Sequence, residues 1–501
     1  MDPISLDGNS LTLEEIALVS RQGAQVEISP FQVPKIRRAR QIVEKRLKEK
    51  DPVYGITTGV GKLAAARISP EDSSELQRNI VLSHATGVGA RLPEDVTRAI
   101  ILLRINTLAK AYSGVRLELI EFLADLLNRR IHPLIFELGS VGASGDLAPL
   151  AHLALPVIGE GEVEYHGSVR KTSELFEELG LASMKLAPKE GLSLVNGTQA
   201  TLGILVLLLL DTLHLSDVAD IAGAMSVDAL RGSPTSFDER IHSTRPHPGQ
   251  LEVARRLSHL LDGSQIRDSH LECERIQDAY SVRCIPQVHG ACRDLVNYAK
   301  SVIEREINSA TDNPLVFRED DEILSGGNFH GEPLAFAGDV LAMALSEFAS
   351  ISERRIARFL DAPLSGLPPF LTHKSGLHSG MMIAHLTGAA AVAENKILSH
   401  PASVDSLPTS AGQEDHVSMS FGAALKAWRV RERAAIVLSI ELLCGAQALD
   451  LLRPLRSSAF LERIHAQIRE VVPVLDADRP LYKDILSVKQ LLETDDFVQL
   501  G

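Results

Sequence analysis

Residues 139–154 of this 501-residue chain read GSVGASGDLAPLAHLA, with three small residues in a row, Ala143, Ser144 and Gly145, at their centre. Glycine adopts backbone angles that other residues reach only under strain, and alanine adds a single methyl group. Such a triplet can fold back until the Gly145 amide nitrogen meets the Ala143 carbonyl carbon. Ring closure with loss of water would turn Ser144 into an alkene conjugated to an imidazolone. That electrophile would be made from the backbone itself, with no dissociable cofactor. Taken alone, Ala-Ser-Gly also suits an ordinary turn before a helix, with Asp146 and Pro149 as helix-start residues. Two other chemistries fail on spacing. A serine nucleophile elbow requires G-x-S-x-G; Gly142 and Ser144 fit, but Asp146 takes the place of the last glycine. The loop 52–62, PVYGITTGVGK, mimics a phosphate loop, but Lys62 is followed by Leu63 rather than Ser or Thr and the preceding glycine spacing is wrong.

The whole stretch 139–154 resembles the active-site motif of the histidine and phenylalanine ammonia-lyase family, whose prosthetic group is 4-methylidene-imidazol-5-one (MIO). The resemblance implies that MIO forms from Ala143, Ser144 and Gly145, with Asp146 supporting its formation. It also implies elimination of ammonia from an α-amino acid. That reaction needs an electrophile, a base for a weakly acidic β-hydrogen, and a clamp for the carboxylate.

The chain offers a candidate for each role. The family's tyrosine loop, Y-G-x-x-T-G, matches at 54–59 and implies Tyr54 as the base, with Glu414 able to share that role. A tyrosine titrates near pH ~10 unless positive charge or helix N-termini lower it. The family pattern Q-D-x-Y-S-x-R-C matches at 277–284 and implies Arg283 as the clamp, since guanidinium meets carboxylate two-pronged. Gln277, Tyr280 and Arg283 are spaced by threes, which on a helix keeps them roughly on one side. Asn196 resembles the family asparagine at the prosthetic group and substrate amine, and Phe329 the phenylalanine beside the ring. By themselves Asn196-Gly197 is a turn signal and Phe329 a core residue.

Three separated positions bear on the substrate. Ser83-His84, before Ala85-Thr86-Gly87-Val88-Gly89, resembles the histidine-specific members, where tyrosine- and phenylalanine-specific ones carry His-Leu and Phe-Leu. Gln413-Glu414 puts a carboxylate where the others have glutamine. Facing a phenyl ring, that carboxylate would be buried without a partner. Met382 agrees, since phenylalanine-specific members tend to have lysine there. The resemblance therefore implies conversion of L-histidine to trans-urocanate, with phenylalanine or tyrosine ammonia-lyase or aminomutase activity as the alternative. It extends over essentially the whole chain, including 237–250 and 308–315. One departure is Gly412, where relatives often have asparagine. The family's homotetramer, with active sites shared between subunits, is expected too.

The elements that must position these residues are mostly helical. Thr12 to Glu15 reads as a capping box opening a short helix. Residues 26–29 read as a strand, 29–50 as a basic amphipathic helix, 93–112 and 116–129 as helices, and 160–169 as a hairpin turning at His166-Gly167. Residues 198–224, 331–360 and 424–452 are long and apolar, so they must be buried on all sides. The expected fold is mainly α, a large multi-helix bundle with a loop-rich N-terminal part containing a few short strands. A soft boundary is expected near residue 200, giving an MIO-bearing part, 1–200, and a long-helix part, 201–501. Composition is that of a soluble protein, 45% hydrophobic and 23% charged. A net charge of -14 argues against a nucleic-acid partner. The cysteines at 273, 284, 292 and 444 form no C-x-x-C pair, so neither metal site nor disulfide framework is expected. The longest uninterrupted apolar run, 204–210, is too short for a membrane span, and no signal peptide is seen, so a cytoplasmic location is expected.

Overall fold

The computed structural model describes residues 2–49, 51–270 and 276–499. Helices dominate: among the described residues there are 21 α-helices against nine strands, none longer than four residues. The chain divides into two compact units, each of three segments: Met1–Leu207, Lys300–Asp339 and Pro401–Leu425, then Leu208–Ala299, Val340–His400 and Lys426–Gly501. Four of the five boundaries fall within the helices Gln199–Ala229, Ile285–Ile307, Glu332–Leu360 and Ser420–Leu451, and the fifth lies between His400 and Pro401, outside any helix.

In the first unit, local sequence signals give local structure. Helix Leu13–Gln22 opens on a complete capping box, in which the Glu15 N–H donates to Thr12 Oγ1 at 3.2 Å and the Thr12 N–H to Glu15 Oε2 at 2.9 Å. Strands Glu162–Tyr165 and Ser168–Lys171 form the expected hairpin. His166 and Gly167 turn it with φ of 49° and 75°, as a two-residue hairpin turn requires. The basic helix is Val33–Arg46, starting later than Ser29-Pro30 because Pro34 sits in its first turn; Lys50, expected at its end, lies outside the described residues.

Helix Glu94–Ala109 is buried from Val96 onward, although it carries Arg98 and Arg104. Both guanidiniums reach backbone carbonyls. Arg98 donates to Val19 O and Leu127 O. Its charge adds to burial in pushing the His132 pKa down to about 3, so that imidazole is neutral. Arg104, wholly buried, donates to the Asn196 carbonyl at 3.0 Å, to the Ser193 carbonyl, and to Gln199 Oε1 at 2.6 Å. Burial pulls its pKa down to about 10, and Asp312 opposes that pull.

The second unit is built from long helices stitched by buried charge. Arg355 and Glu441 are fully buried and paired at 2.5 and 2.9 Å, and Ser226 Oγ donates to the same carboxylate at 2.5 Å. Asp220 accepts from Arg293 at 2.6 Å and meets His289 Nδ1 at 2.8 Å. Burial raises the Asp220 pKa, but these partners outweigh it and the net shift is downward.

Two sequence expectations change here. Gln277, Tyr280 and Arg283 do not share a helix face: the helix is only Tyr280–Arg283, and Gln277 lies in exposed coil. The Asp278 carboxylate accepts the Ser233 N–H at 2.7 Å, which ties the preceding segment to a neighbouring turn rather than to a helix. By length and composition, Gln199–Ala229, Glu332–Leu360 and Ser420–Leu451 are apolar enough to cross a membrane, although no uninterrupted run is. Scattered Ser, Thr and small residues interrupt the runs without lowering the average much; 72, 67 and 83% of the most apolar windows lie buried inside the protein. Cys284, Cys292 and Cys444 are free thiols, and Cys273 lies outside the described residues.

Removing one partner of the Arg355–Glu441 pair strands a buried charge. Glu441→Ala is therefore expected to cost about 3–5 kcal/mol of stability, and the double change Arg355→Met with Glu441→Met to recover most of it. Denaturant unfolding of the three variants checks this; equal losses in single and double variants would refute it.

Candidate active site

The loop 139–146 is clamped by backbone contacts. Val141 O accepts the Met419 N–H at 2.7 Å, and Gly142 O accepts from the Gly331 N–H at 3.1 Å and from Ser418 Oγ at 2.8 Å. At two positions only glycine fits. Gly142 has φ +70°, and a Cβ there would lie 2.2 Å from Ser418 Oγ and 2.3 Å from Ser420 Oγ. Gly145 has φ +68°, pairs with Gly197 in a parallel bridge, and would put a Cβ 2.0 Å from the Gly197 carbonyl oxygen. The next residue is held by the same carbonyl: the Asp146 N–H donates to Gly197 O at 2.7 Å.

The Asp146 carboxyl does not cap the helix Leu147–Ala154 that follows it. It is fully buried and accepts from the Thr201 N–H at 2.7 Å, Thr201 Oγ1 at 2.8 Å and Ser140 Oγ at 2.9 Å. Burial dominates and pushes its pKa up to about 6, against those hydrogen bonds. A carboxyl so placed can both take and return a proton near neutrality. Glu306, bonded by Thr198 Oγ1 at 2.6 Å, is also pushed up, by burial first and then by the charge of Asp146.

Ser144 is half-buried, and its hydroxyl donates to Glu414 Oε1 at 2.7 Å. The other oxygen, Oε2, accepts from Thr409 Oγ1 at 2.6 Å and Ser410 Oγ at 2.8 Å. Burial raises the Glu414 pKa, but the three hydroxyl donors and the charge of His84 outweigh it, so the net shift is downward and the group is a carboxylate. The turn presenting Glu414 runs through left-handed backbone at Ser410, Ala411 and Gly412, with φ of 51°, 54° and 78°. Glycine and asparagine both tolerate that region, so glycine at 412 keeps the loop geometry that asparagine would give.

These groups line a cleft of about 500 Å³, walled by Tyr54, Ala143, Ser144, Phe329, Gln413 and Glu414 and, further along, Asn313, His330 and His416. Tyr54 Oη accepts the Gly61 N–H at 2.8 Å, which orients the phenol at the cleft wall. His84 Nδ1 lies 2.7 Å from the Ile80 carbonyl and 3.0 Å from Ser83 Oγ. A carbonyl only accepts, so Nδ1 carries a proton. Asn196 is buried. Its Nδ2 donates to Asn313 O at 3.1 Å, and its Oδ1 has no partner. His330, Glu332 and His416 bring their side-chain ligand atoms within 4.8 Å of one another, a grouping that could hold a metal ion, and His330 Nε2 lies 3.3 Å from the His416 carbonyl.

Gln277, Tyr280, Arg283 and Met382 belong to the second unit. Tyr280 is 72% exposed. The Arg283 guanidinium sits 4.8 Å from its ring centroid, and Arg283 Nε is buried without a partner. Met382 begins helix Met382–Leu398. Sequence reasoning missed Thr409, Ser410, Thr201, Ser140 and Arg104. The hydroxyls at 409 and 410, a few residues before Glu414, were the only signal for the first two; the others come from distant segments.

The profile of a family described as aromatic amino acid lyase matches residues 11–470. The chain is 50% identical over 495 residues to a histidine ammonia-lyase of Myxococcus xanthus, covering 99% of this chain and 97% of that protein. Its fold is similar to the crystal structure of histidine ammonia-lyase from Trypanosoma cruzi, with TM-score 0.91, 42% identity, and coverage of 98% of this chain and 93% of that one. It is also similar to a tyrosine aminomutase from Streptomyces globisporus, with TM-score 0.94, 38% identity, and coverage of 99% and 98%.

The close approach at Gly145 yields a stability prediction. Gly145→Ala must displace the Gly197 carbonyl and hold alanine at positive φ, an expected loss of at least about 2 kcal/mol. Gly422→Ala, in a helix with nothing within 4 Å of the new Cβ, is expected to be neutral or stabilising. Thermal unfolding of the two variants compares them directly, and a Gly145→Ala protein as stable as the parent would contradict the contact.

Proposed function

The chain belongs to the aromatic amino acid lyase family, and on that basis we propose that it is a histidine ammonia-lyase that converts L-histidine to trans-urocanate and ammonia. The observation that carries the choice of substrate is Glu414: a carboxylate held ionised by hydroxyl donors at the cleft wall, beside Ser144. An imidazole N–H satisfies such a carboxylate, whereas a phenyl ring would bury it unpaired. The fold alone does not choose, because a tyrosine aminomutase shares it.

The loop fits the MIO group. Gly145 packs without a side chain against Gly197, the Ser144 hydroxyl is held by Glu414, and the buried Asn196 Oδ1 awaits a donor. Ala143, Ser144 and Gly145 would form the group, with Asp146 assisting as a buried carboxyl poised near neutrality. Once formed, MIO supplies an electrophilic carbon that activates the substrate so that its amine can leave. The remaining work falls to side chains of this chain. Tyr54, oriented by the Gly61 N–H, removes the β-proton. The family resemblance assigns Arg283, with Gln277 and Tyr280 beside it in sequence, to the substrate carboxylate. His84 and Glu414 recognise the imidazole ring, Phe329 lines the cleft, and Gln413, Ser83 and Asn196 complete the polar contacts; Met382, in the second unit, is assigned to substrate selection by the family resemblance alone.

A homotetramer with active sites completed by neighbouring chains is the assembly we propose. Its support is apolar surface in the second unit: Ile383, Tyr482 and Leu486 are each more than half exposed around a groove of about 560 Å³. The free thiols suit a reducing cytoplasm.

Purified protein incubated with histidine, phenylalanine and tyrosine is expected to form urocanate and neither cinnamate nor coumarate, read by the ultraviolet spectrum of the product. Absence of urocanate would overturn the substrate assignment. Glu414→Gln is expected to reduce kcat/KM for histidine at least about a hundredfold, since a neutral amide replaces the charged acceptor. Light scattering tests the tetramer, and a fully active monomer would refute it.

A further inference from the structure

Ring closure and dehydration at residues 143–145 have a consequence for Glu414. Closure forms a bond from the Gly145 nitrogen to the Ala143 carbonyl carbon; the carbonyl oxygen leaves as water with the amide hydrogens of Ser144 and Gly145. The Ser144 hydroxyl then leaves as a second water with the α-hydrogen, forming the alkene. That hydroxyl is the donor that occupies Glu414 Oε1 at 2.7 Å. Maturation therefore empties Oε1 and makes it available to a ring N–H, while Oε2 keeps its two donors, Thr409 Oγ1 and Ser410 Oγ.

We propose that Thr409 and Ser410 are positioning residues for substrate specificity: their hydroxyls hold Glu414 Oε2 so that Oε1 remains an oriented, charged acceptor for imidazole after the Ser144 hydroxyl has gone. This rests on the reading of the site as that of a histidine ammonia-lyase. The clamp is reinforced through the backbone, where the Thr409 N–H donates to the Glu414 carbonyl at 2.8 Å. It is also built at a conformational cost, since Ser410 and Ala411 are non-glycine residues at positive φ. Such strain persists only where the surroundings over-determine it, and the contacts it serves here are those to Glu414. The other titratable groups facing this carboxylate are His84, whose charge favours the ionised form, and Tyr54, His330, Asp415 and His416 along the cleft. None of these donates to Oε2 among the described residues, so once Ser144 is dehydrated the two hydroxyls are its remaining protein donors.

The sign of the effect is fixed. Hydroxyl donors favour the ionised carboxyl, so their removal raises its pKa and costs the acceptor first on the acid side. The test is the double variant Thr409→Val with Ser410→Ala, alongside each single change and Thr409→Ser. In mature protein the acid limb of kcat/KM for histidine is expected to move up by about one pH unit, with KM rising more than kcat falls. Thr409→Ser, which keeps the hydroxyl, is expected to restore the parental profile. Titration of free histidine is common to all the proteins and cancels in the comparison.

A second readout avoids turnover. In a Ser144→Ala background, which lacks both hydroxyl and electrophile, calorimetric affinity for histidine below neutrality is expected to fall about tenfold when the two hydroxyls are also removed. Peptide mass across 139–154 reports maturation, which is expected to lower it by two waters in the parent and in the Thr409 and Ser410 variants that retain Ser144. Unchanged acid limb and unchanged affinity would overturn the role of Thr409 and Ser410. A variant that keeps its full mass would also overturn it, by placing the hydroxyls in maturation instead. A parent protein with full mass and no urocanate would instead fail the ammonia-lyase reading itself.

Discussion

One backbone contact governs the site. The Gly197 carbonyl accepts the Asp146 N–H at 2.7 Å and leaves no room for a side chain on Gly145, where a Cβ would stand 2.0 Å away. Everything nearby serves that approach. Arg104 takes the carbonyls of Ser193 and Asn196 and holds the turn from behind, at the expense of a guanidinium buried in a helix core. Gln199, which accepts from Arg104, donates in turn to Thr107 and Thr311 and joins the turn to two further segments. Buried polar networks of this kind stabilise only when nearly every member is satisfied. Here two buried atoms are left over, the Asn196 amide oxygen and Arg104 Nε.

Two carboxyls near the loop are tuned in opposite directions by one fold. Asp146 is fully buried and raised to about 6 despite its hydrogen bonds. Glu414, only partly buried and surrounded by hydroxyl donors, is lowered despite its burial. Pairs of acids whose environments push them apart divide the labour of acid–base chemistry. The first suits exchange of protons during backbone cyclisation. The second suits a lasting negative charge that recognises a ring N–H. Sequence spacing carries no hint of that division, because it depends on solvent exclusion and on hydroxyls brought from other segments.

Legibility followed the range of the interactions. The capping box at Thr12 and the hairpin at His166-Gly167 rest on contacts within four residues, and both appear as read. The long apolar helices were evident from composition. The one-sided placement of Gln277, Tyr280 and Arg283 was not realised, because Asp278 is tied to Ser233, some forty-five residues away in sequence. Counting uninterrupted apolar runs also missed that three helices are apolar enough on average to match a membrane span. Thr409 and Ser410 look like ordinary turn residues until left-handed backbone at 410 and 411 folds them onto Glu414.

By itself the sequence determined the chemistry that is available: a small-residue triplet able to cyclise, a tyrosine, an arginine, and a glutamate in place of glutamine. It determined also that the chain would be mainly helical, since periodicity and capping act over a turn or two. Only the tertiary structure decided how those groups are tuned. It set Ser144 against Glu414 across 270 positions of sequence and pressed Gly145 onto Gly197. It buried Asp146 completely while leaving Glu414 its hydroxyl donors. The physical reason is that ionisation and close approach depend on desolvation and on partners from distant segments, neither of which exists until the chain has folded.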